Sequence, residues 1–329
     1  MPEQPDRNLA LDLARVTEAA AMAASRWQGR GDREAVDQAA VDAMRHLLST
    51  IDMDGVIVIG EGEKDEAPML FNGERVGNGN PPQVDVAVDP VEGTRPTAQG
   101  SPGAIAVIAL AERGAMYAPG SLVYMDKIAV GEVAAGQIDL EAPVAENLHR
   151  VAKATGKHLT ELTAIILDRP RNEPYVQAVR EVGARIRLIQ DGDVAAAIAA
   201  AVPDSGIDIL FGIGGSPEAV IAASALRCLQ GEIQCKLWPR DEREREYARE
   251  NGLDVSQVLA TRDLVGSENV FFAATGVTGG EFLGGVRFFA GGAETHSVVM
   301  RSKTGTVRFI RARHRFDKLQ ELWGKQDVL

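Results

Sequence analysis

A chain of 329 residues, 45% hydrophobic and 25% charged, has the composition of a folded globular protein of about two domains. Its 35 basic and 47 acidic residues give a net charge of −12, which argues against a general nucleic-acid binder, whose phosphate contacts need a basic surface. Cys228 and Cys235 lack metal-finger spacing and read as reduced, buried thiols.

In chain order, Leu9, Leu13, Val16, Ala20 and Ala23 recur at helical spacing and predict a helix within residues 7–27. Gly29-Arg30-Gly31 interrupts it, and Asp32 is placed to N-cap a second helix over 33–48. Apolar runs predict strands at 56–59, 84–88, 104–111 and 121–130, the second of them stopping at Asp89-Pro90. Residues 72–82, rich in Gly, Asn and Pro, read as a loop. Beyond Pro143, strands at 163–167, 184–189 and 207–211 alternate with helices at 173–182, 194–201 and 217–229. A charge-dense helix over 240–251 reads as a solvated face, and short strands separated by glycine turns follow. The fold class expected is α/β, with an N-terminal α+β half over 1–145 and a C-terminal α/β half over 146–329. The longest apolar runs fall far short of the roughly 20 residues that span a bilayer. The first residues lack the basic-then-apolar pattern of a secretory signal, so a cytoplasmic protein without membrane partners is expected.

The chemistry lies in acids placed at strand ends. Gly60-Glu61-Gly62-Glu63 follows one predicted strand, and Asp89-Pro90-Val91-Glu92-Gly93-Thr94 follows the next. Carboxylates held close together repel unless a cation neutralises them, and all-oxygen ligands suit Mg²⁺ or Mn²⁺. Asp89, the Val91 carbonyl and Glu92 can face one metal, with the Thr94 hydroxyl close by. Gly212-Ile213-Gly214-Gly215-Ser216-Pro217-Glu218 reads as a loop between a strand and a helix, a place that attracts anions. Glu218 is the acid the second half can bring to the metals; its alternative is simple complementarity to the helix dipole. Arg169-Pro170-Arg171 and Asp191-Gly192-Asp193 follow two further strands, where ligands of open α/β sheets bind. Arg169 and Arg171 can hold a phosphate through paired donors, or be ordinary surface charges.

With these motifs in view, the sequence resembles the class II, GlpX-type fructose-1,6-bisphosphatases nearly end to end, most specifically in VIVIGEGEKDEAPMLFNGE and VDVAVDPVEGT. More distantly it is similar to the lithium-sensitive, metal-dependent phosphatases, which include inositol monophosphatases. The resemblance implies a layered α-β-α-β-α sugar-phosphatase sandwich with the metal site in the first half and substrate contacts in the second. It places Asp37, Glu61, Asp89, Glu92 and Glu218 on Mn²⁺ or Mg²⁺, and makes Asp37, Thr94 and Glu61 the catalytic group, with Asp37 and Thr94 activating the attacking water. Substrate contacts fall on Glu92, Gly93, Thr94, Tyr124, Arg169, Pro170, Arg171, Asp191, Gly192, Asp193 and Gly215. The implied activity is hydrolysis of the 1-phosphate of fructose 1,6-bisphosphate by a homo-oligomer, dimer or tetramer. The alternatives are a dual fructose/sedoheptulose bisphosphatase, an inositol monophosphatase and a non-catalytic sugar-phosphate sensor. Two positions depart from the family pattern: Arg33 stands where lysine is common, and Ala219 where glycine is usual.

Overall fold

The computed structural model describes residues 8–61, 70–203, 205–280 and 282–323. Two helices, α1 (Ala10–Ser25) and α2 (Arg33–Leu48), precede β1 (Asp54–Ile59), β2 (Arg75–Val76), β3 (Gln83–Glu92), the short α3 (Thr94–Gln99), β4 (Ile105–Glu112) and β5 (Tyr124–Val130). Then come α4 (Val144–Thr155), β6 (Thr163–Leu167), α5 (Glu173–Val182), β7 (Arg185–Ile189), α6 (Asp193–Ala201), β8 (Ile209–Gly215) and α7 (Ser216–Leu229). The rest is β9 (Glu232–Leu237), α8 (Glu242–Glu250), β10 (Val258–Ala260), α9 (Thr261–Leu264), β11 (Phe271–Gly276), β12 (Arg287–Phe289), β13 (Gly292–Arg301), β14 (Thr306–Arg315) and α10 (Phe316–Trp323).

Two sheets result. The first runs β12-β13-β11-β4-β3-β1-β2, with β14 also paired to β13; the second runs β10-β9-β5-β8-β6-β7. The apolar run that forms β4 lacks polar alternation because both its faces are covered. Ile105, Val107, Ala109 and Ala111 enter one core with α6 and α7, while Ala106, Ile108 and Leu110 enter another with α1 and α2. On the second sheet, Met125 and Ala129 of β5 face α6 and α7, whereas Ile128 and Val130 face α4 and α5. The order of layers is therefore α-β-α-β-α, as the resemblance implied.

Helix α2 shows the local logic. Asp32 caps it by accepting the Ala35 N–H at 3.0 Å, and Val36, Ala40, Ala43, Met44 and Leu47 line its buried face. Cys228 and Cys235 are free and buried, as expected. Helix α8 buries only Glu244 and Ala248, in keeping with a solvated face.

Two expectations are corrected. β3 does not stop at Asp89-Pro90 but continues to Glu92, because a bulge lets the proline sit in the strand: Asp89 pairs with Val107 and Glu92 with Ile105, so two residues lie opposite one. The Gly212–Gly215 stretch is strand and not loop; its backbone pairs with β5, from Lys127↔Gly212 to Tyr124↔Gly215. Each sheet also draws strands from both sides of residue 145. β5, from the first half, sits between β8 and β9, and β11 to β14 return to the first sheet.

Candidate active site

The bulge of β3 sets the first part of the site. It turns Asp89 and Glu92 off the regular alternation, and the Val91 N–H closes onto Asp89 Oδ1 at 3.1 Å. Gly93 then takes a φ of +98°, a left-handed conformation costly for a residue with a side chain, and α3 begins at Thr94. A Cβ at Gly93 would also lie 3.1 Å from that of Ala104. The Thr94 hydroxyl donates to Asp37 Oδ1 at 2.5 Å and lies 3.2 Å from the Val91 carbonyl oxygen. Asp37 comes from the second turn of α2, so helix and strand end are joined at this bond. Burial raises the Asp37 carboxyl above its ordinary range, and the Thr94 bond opposes that shift.

Glu92 reaches across the middle layer. Its two carboxylate oxygens accept the Val194 N–H and, at 3.1 Å, the Ala195 N–H, capping the start of α6. Burial pushes its carboxyl up to about 8 against the effect of those bonds. Asp89 is held well above the usual range, first by burial and then by Glu61, Glu92 and Glu218 as like charges. Glu61, beyond the end of β1 and exposed as a residue, is raised by desolvation of its carboxyl, then by Asp37 and Glu218. Acids from α2, β1, β3 and α7 thus share one region. Of the Gly-Glu-Gly-Glu motif, Gly62 and Glu63 lie outside the described residues, as do residues 64–69.

Glu218 stands in the first turn of α7, next to Gly215, where a Cβ would fall 1.8 Å from Glu218 Oε2. That oxygen is buried without a hydrogen-bond partner, and burial raises its carboxyl. Among the described residues no three His, Cys, Asp or Glu side chains stand close enough together to hold a metal ion as placed. The donor set nevertheless fits a hard divalent cation in its chemistry: oxygens only, mutually repelling, with Glu218 Oε2 unpartnered.

The remaining predicted residues lie at the ends of the second sheet. Pro170 opens the turn that carries Arg171 and Asn172. Arg169 spends its Nη groups on the Asp168 and Gln190 carbonyls, at 2.9 and 2.6 Å. Arg171 gives Nε to the Ile213 carbonyl at 2.9 Å and lays its guanidinium 4.4 Å over the Tyr124 ring, which also meets Trp238 edge-on at 6.2 Å. Arg169 and Arg171 are therefore anchored separately. Asp191 is raised by burial, with Arg169 opposing. Gly192 is left-handed at the start of α6, and Asp193 is that helix's first residue. Arg33 is exposed at the start of α2, and Ala219 is buried within α7.

Two residues escaped the sequence reading. Asn172, fully buried, donates to Leu167 O at 3.0 Å and accepts the Ile213 N–H at 2.7 Å, stitching the end of β6 to β8. Lys127 is buried on β5; a lysine in the middle of Tyr-Met-Asp-Lys-Ile-Ala-Val was the available signal.

The molecule is thus a five-layer α/β protein whose strand and helix ends gather carboxylates around a threonine–aspartate pair. A model of the family "Bacterial fructose-1,6-bisphosphatase, glpX-encoded" matches residues 7–314, and the chain belongs to that family. Fructose-1,6-bisphosphatase 1 class 2 of Escherichia coli (strain K12) is 45% identical over 326 residues, covering 95% of this chain and 96% of the relative. The fructose-1,6-bisphosphatases class 2 of Escherichia coli O6:H1 and Shigella flexneri match with the same identity and coverage. No helix among the described residues is long and apolar enough to cross a membrane.

Proposed function

We propose that this chain hydrolyses the 1-phosphate of fructose 1,6-bisphosphate to fructose 6-phosphate and phosphate. Family membership and relatives of that name support the substrate, and one geometric observation carries the chemistry: Thr94 bonded to Asp37 at 2.5 Å, with Asp37, Glu61, Asp89 and Glu218 linked through their mutual repulsion as like charges. Thr94 Oγ1 keeps a lone pair with which to orient a water, while Asp37 takes the proton that passes through the hydroxyl. The water oxygen forms a bond to phosphorus as the bond from phosphorus to the C1 oxygen breaks; that oxygen leaves as an alkoxide and takes a proton from solvent, and Asp37 returns to solvent the proton it took. Asp37, Glu61, Asp89, Glu92 and Glu218 would hold Mn²⁺ or Mg²⁺. When bound, such ions neutralise phosphoryl charge and acidify water. For Glu92 this role requires lone pairs other than those capping α6. Glu92, Gly93, Thr94, Gly215 and Asp191 to Asp193 would contact the sugar phosphate; Tyr124, Arg169, Pro170 and Arg171 would enclose its remote end. We also read the protein as cytoplasmic, in keeping with two unpaired thiols, and as a homo-oligomer, in keeping with Phe309 on β14 and Phe288 on β12, both exposed.

Phosphate release from a panel of sugar bisphosphates, sugar monophosphates and inositol phosphate, with Mn²⁺ or Mg²⁺, tests the reading. Fructose 1,6-bisphosphate should give the highest kcat/KM, and Asp89→Ala should lose about 10²–10⁴-fold. A monophosphate outperforming both bisphosphates would overturn the substrate, and equal rates for wild type and Asp89→Ala would overturn the acid assignment. No release by either protein would favour a sensor.

A further inference from the structure

On β5, Met125 and Ala129 point into the apolar middle layer, and Lys127 lies between them on the same face, 2% exposed. Its Nζ donates to Asp193 Oδ2 at 2.6 Å and to the Gly215 carbonyl at 2.8 Å. The slot exists because two glycines stand there. A Cβ on Gly214 would lie 1.7 Å from Asp193 Oδ2 and 3.0 Å from Lys127 Nζ, and one on Gly215 would strike Glu218. Asp193 opens α6, and the next two N–H groups of that helix bind Glu92. A continuous chain of contacts therefore runs from the second sheet through Lys127, Asp193 and the start of α6 to the bulge of the first sheet.

We propose that Lys127 is a positioning residue of this site: it fixes the Asp191–Asp193 segment against the end of β8 and is the resident counter-charge for Asp193 and Glu218. The proposal deepens the phosphatase reading and rests on it for the identity of the ligand. Burial alone would discharge the ammonium, but Asp193 and then Glu218 outweigh it and keep it charged. Without that charge Asp193 becomes an unpaired, mostly buried anion in a region already crowded with acids.

The test uses the full chain with Lys127→Met, which keeps the length of the side chain and removes its charge. The KM for fructose 1,6-bisphosphate should rise about tenfold or more, because the segment loosens and the site gains negative charge. The melting temperature should fall further in EDTA than in Mn²⁺, since a divalent cation substitutes for the missing charge. Lys127→Met/Asp193→Asn removes both members of the pair; it should regain the melting temperature in EDTA without regaining KM. If the single variant does not fold, the double variant carries both readouts. Equal melting losses with and without Mn²⁺, an unchanged KM, or no recovery in the double variant would overturn the proposal. Absence of sugar-bisphosphate hydrolysis by the wild type would instead overturn the phosphatase reading, and the melting temperatures would still decide the role of Lys127.

Discussion

Thr94 Oγ1 carries a single hydrogen and faces two acceptors, Asp37 Oδ1 at 2.5 Å and Val91 O at 3.2 Å. The shorter bond, to a carboxylate, takes the proton and leaves the oxygen's lone pairs free to accept. On the proposed reading this hydroxyl acts on the chemical step more than on binding. Thr94→Val should therefore lower kcat by about 10²–10⁴-fold with KM changed by less than about threefold, while Thr94→Ser should stay within about tenfold of wild type. Steady-state phosphate release checks both; a rise in KM at constant kcat would make Thr94 a binding residue only. The pairing of Thr94 with Asp37 was not visible to periodicity, because 57 residues separate them and Asp37 looks like any second-turn helix residue. The DPVEGT acids were visible, since Pro90 and Gly93 mark a special backbone. The use to which Glu92 puts its oxygens was not, its partner lying 102 residues away.

At the scale of elements, α1 meets the first sheet through a buried polar seam. Thr17 Oγ1 lies 2.7 Å from Thr275 Oγ1, which lies 2.7 Å from Ser297 Oγ. Thr295 Oγ1 donates to Glu18 at 3.4 Å and sits 2.8 Å from His314 Nε2. Burial pushes the Glu18 carboxyl up to about 7, against the Thr295 bond and the charge of Arg15. The sign follows directly: between its unfolded value near 4.5 and about 7, the folded state holds a proton that the unfolded state releases. Stability is lost as pH rises through that window, and the penalty is constant above it. Glu18→Gln removes the titration and keeps an acceptor for Thr295. It should match wild type near pH 5 and gain on the order of 2–3 kcal/mol at pH 8, read from urea melts at the two pH values. The same gain at both pH values would show that Glu18 does not titrate there. Helices such as α2 and α5 were legible because one face is apolar and the other wet. The ends of β3 and β8 were misjudged for opposite reasons. Proline read as a terminator where a bulge admits it, and four residues rich in glycine read as a loop where bare backbone is what β5 and Lys127 require.

For the whole molecule, strand order is the property that local pattern does not encode. The change of rhythm after Pro143 is real, because it marks where βα alternation begins, but the chain does not divide its sheets there. β4 pairs with the whole of β11, from Leu110↔Phe271 to Ile105↔Gly276, more than 150 residues away in sequence. β5 in turn lies between β8 and β9, both drawn from the second half. A fragment of residues 1–145 would expose the apolar β4 edge and strand β5, Lys127 included, without the strands that cover them. Contacts of such sequence separation are expected to make the two halves one cooperative unit. The fragment should show no cooperative thermal transition in circular dichroism and no slowly exchanging amides in β4, whereas the full chain should show both. Mixing it with residues 146–329 should restore protection in β4 and β11 together. A sharp melt of the isolated fragment with protected β4 amides would mean that the first half carries a self-sufficient core, and that β11 to β14 dock on a sheet already formed.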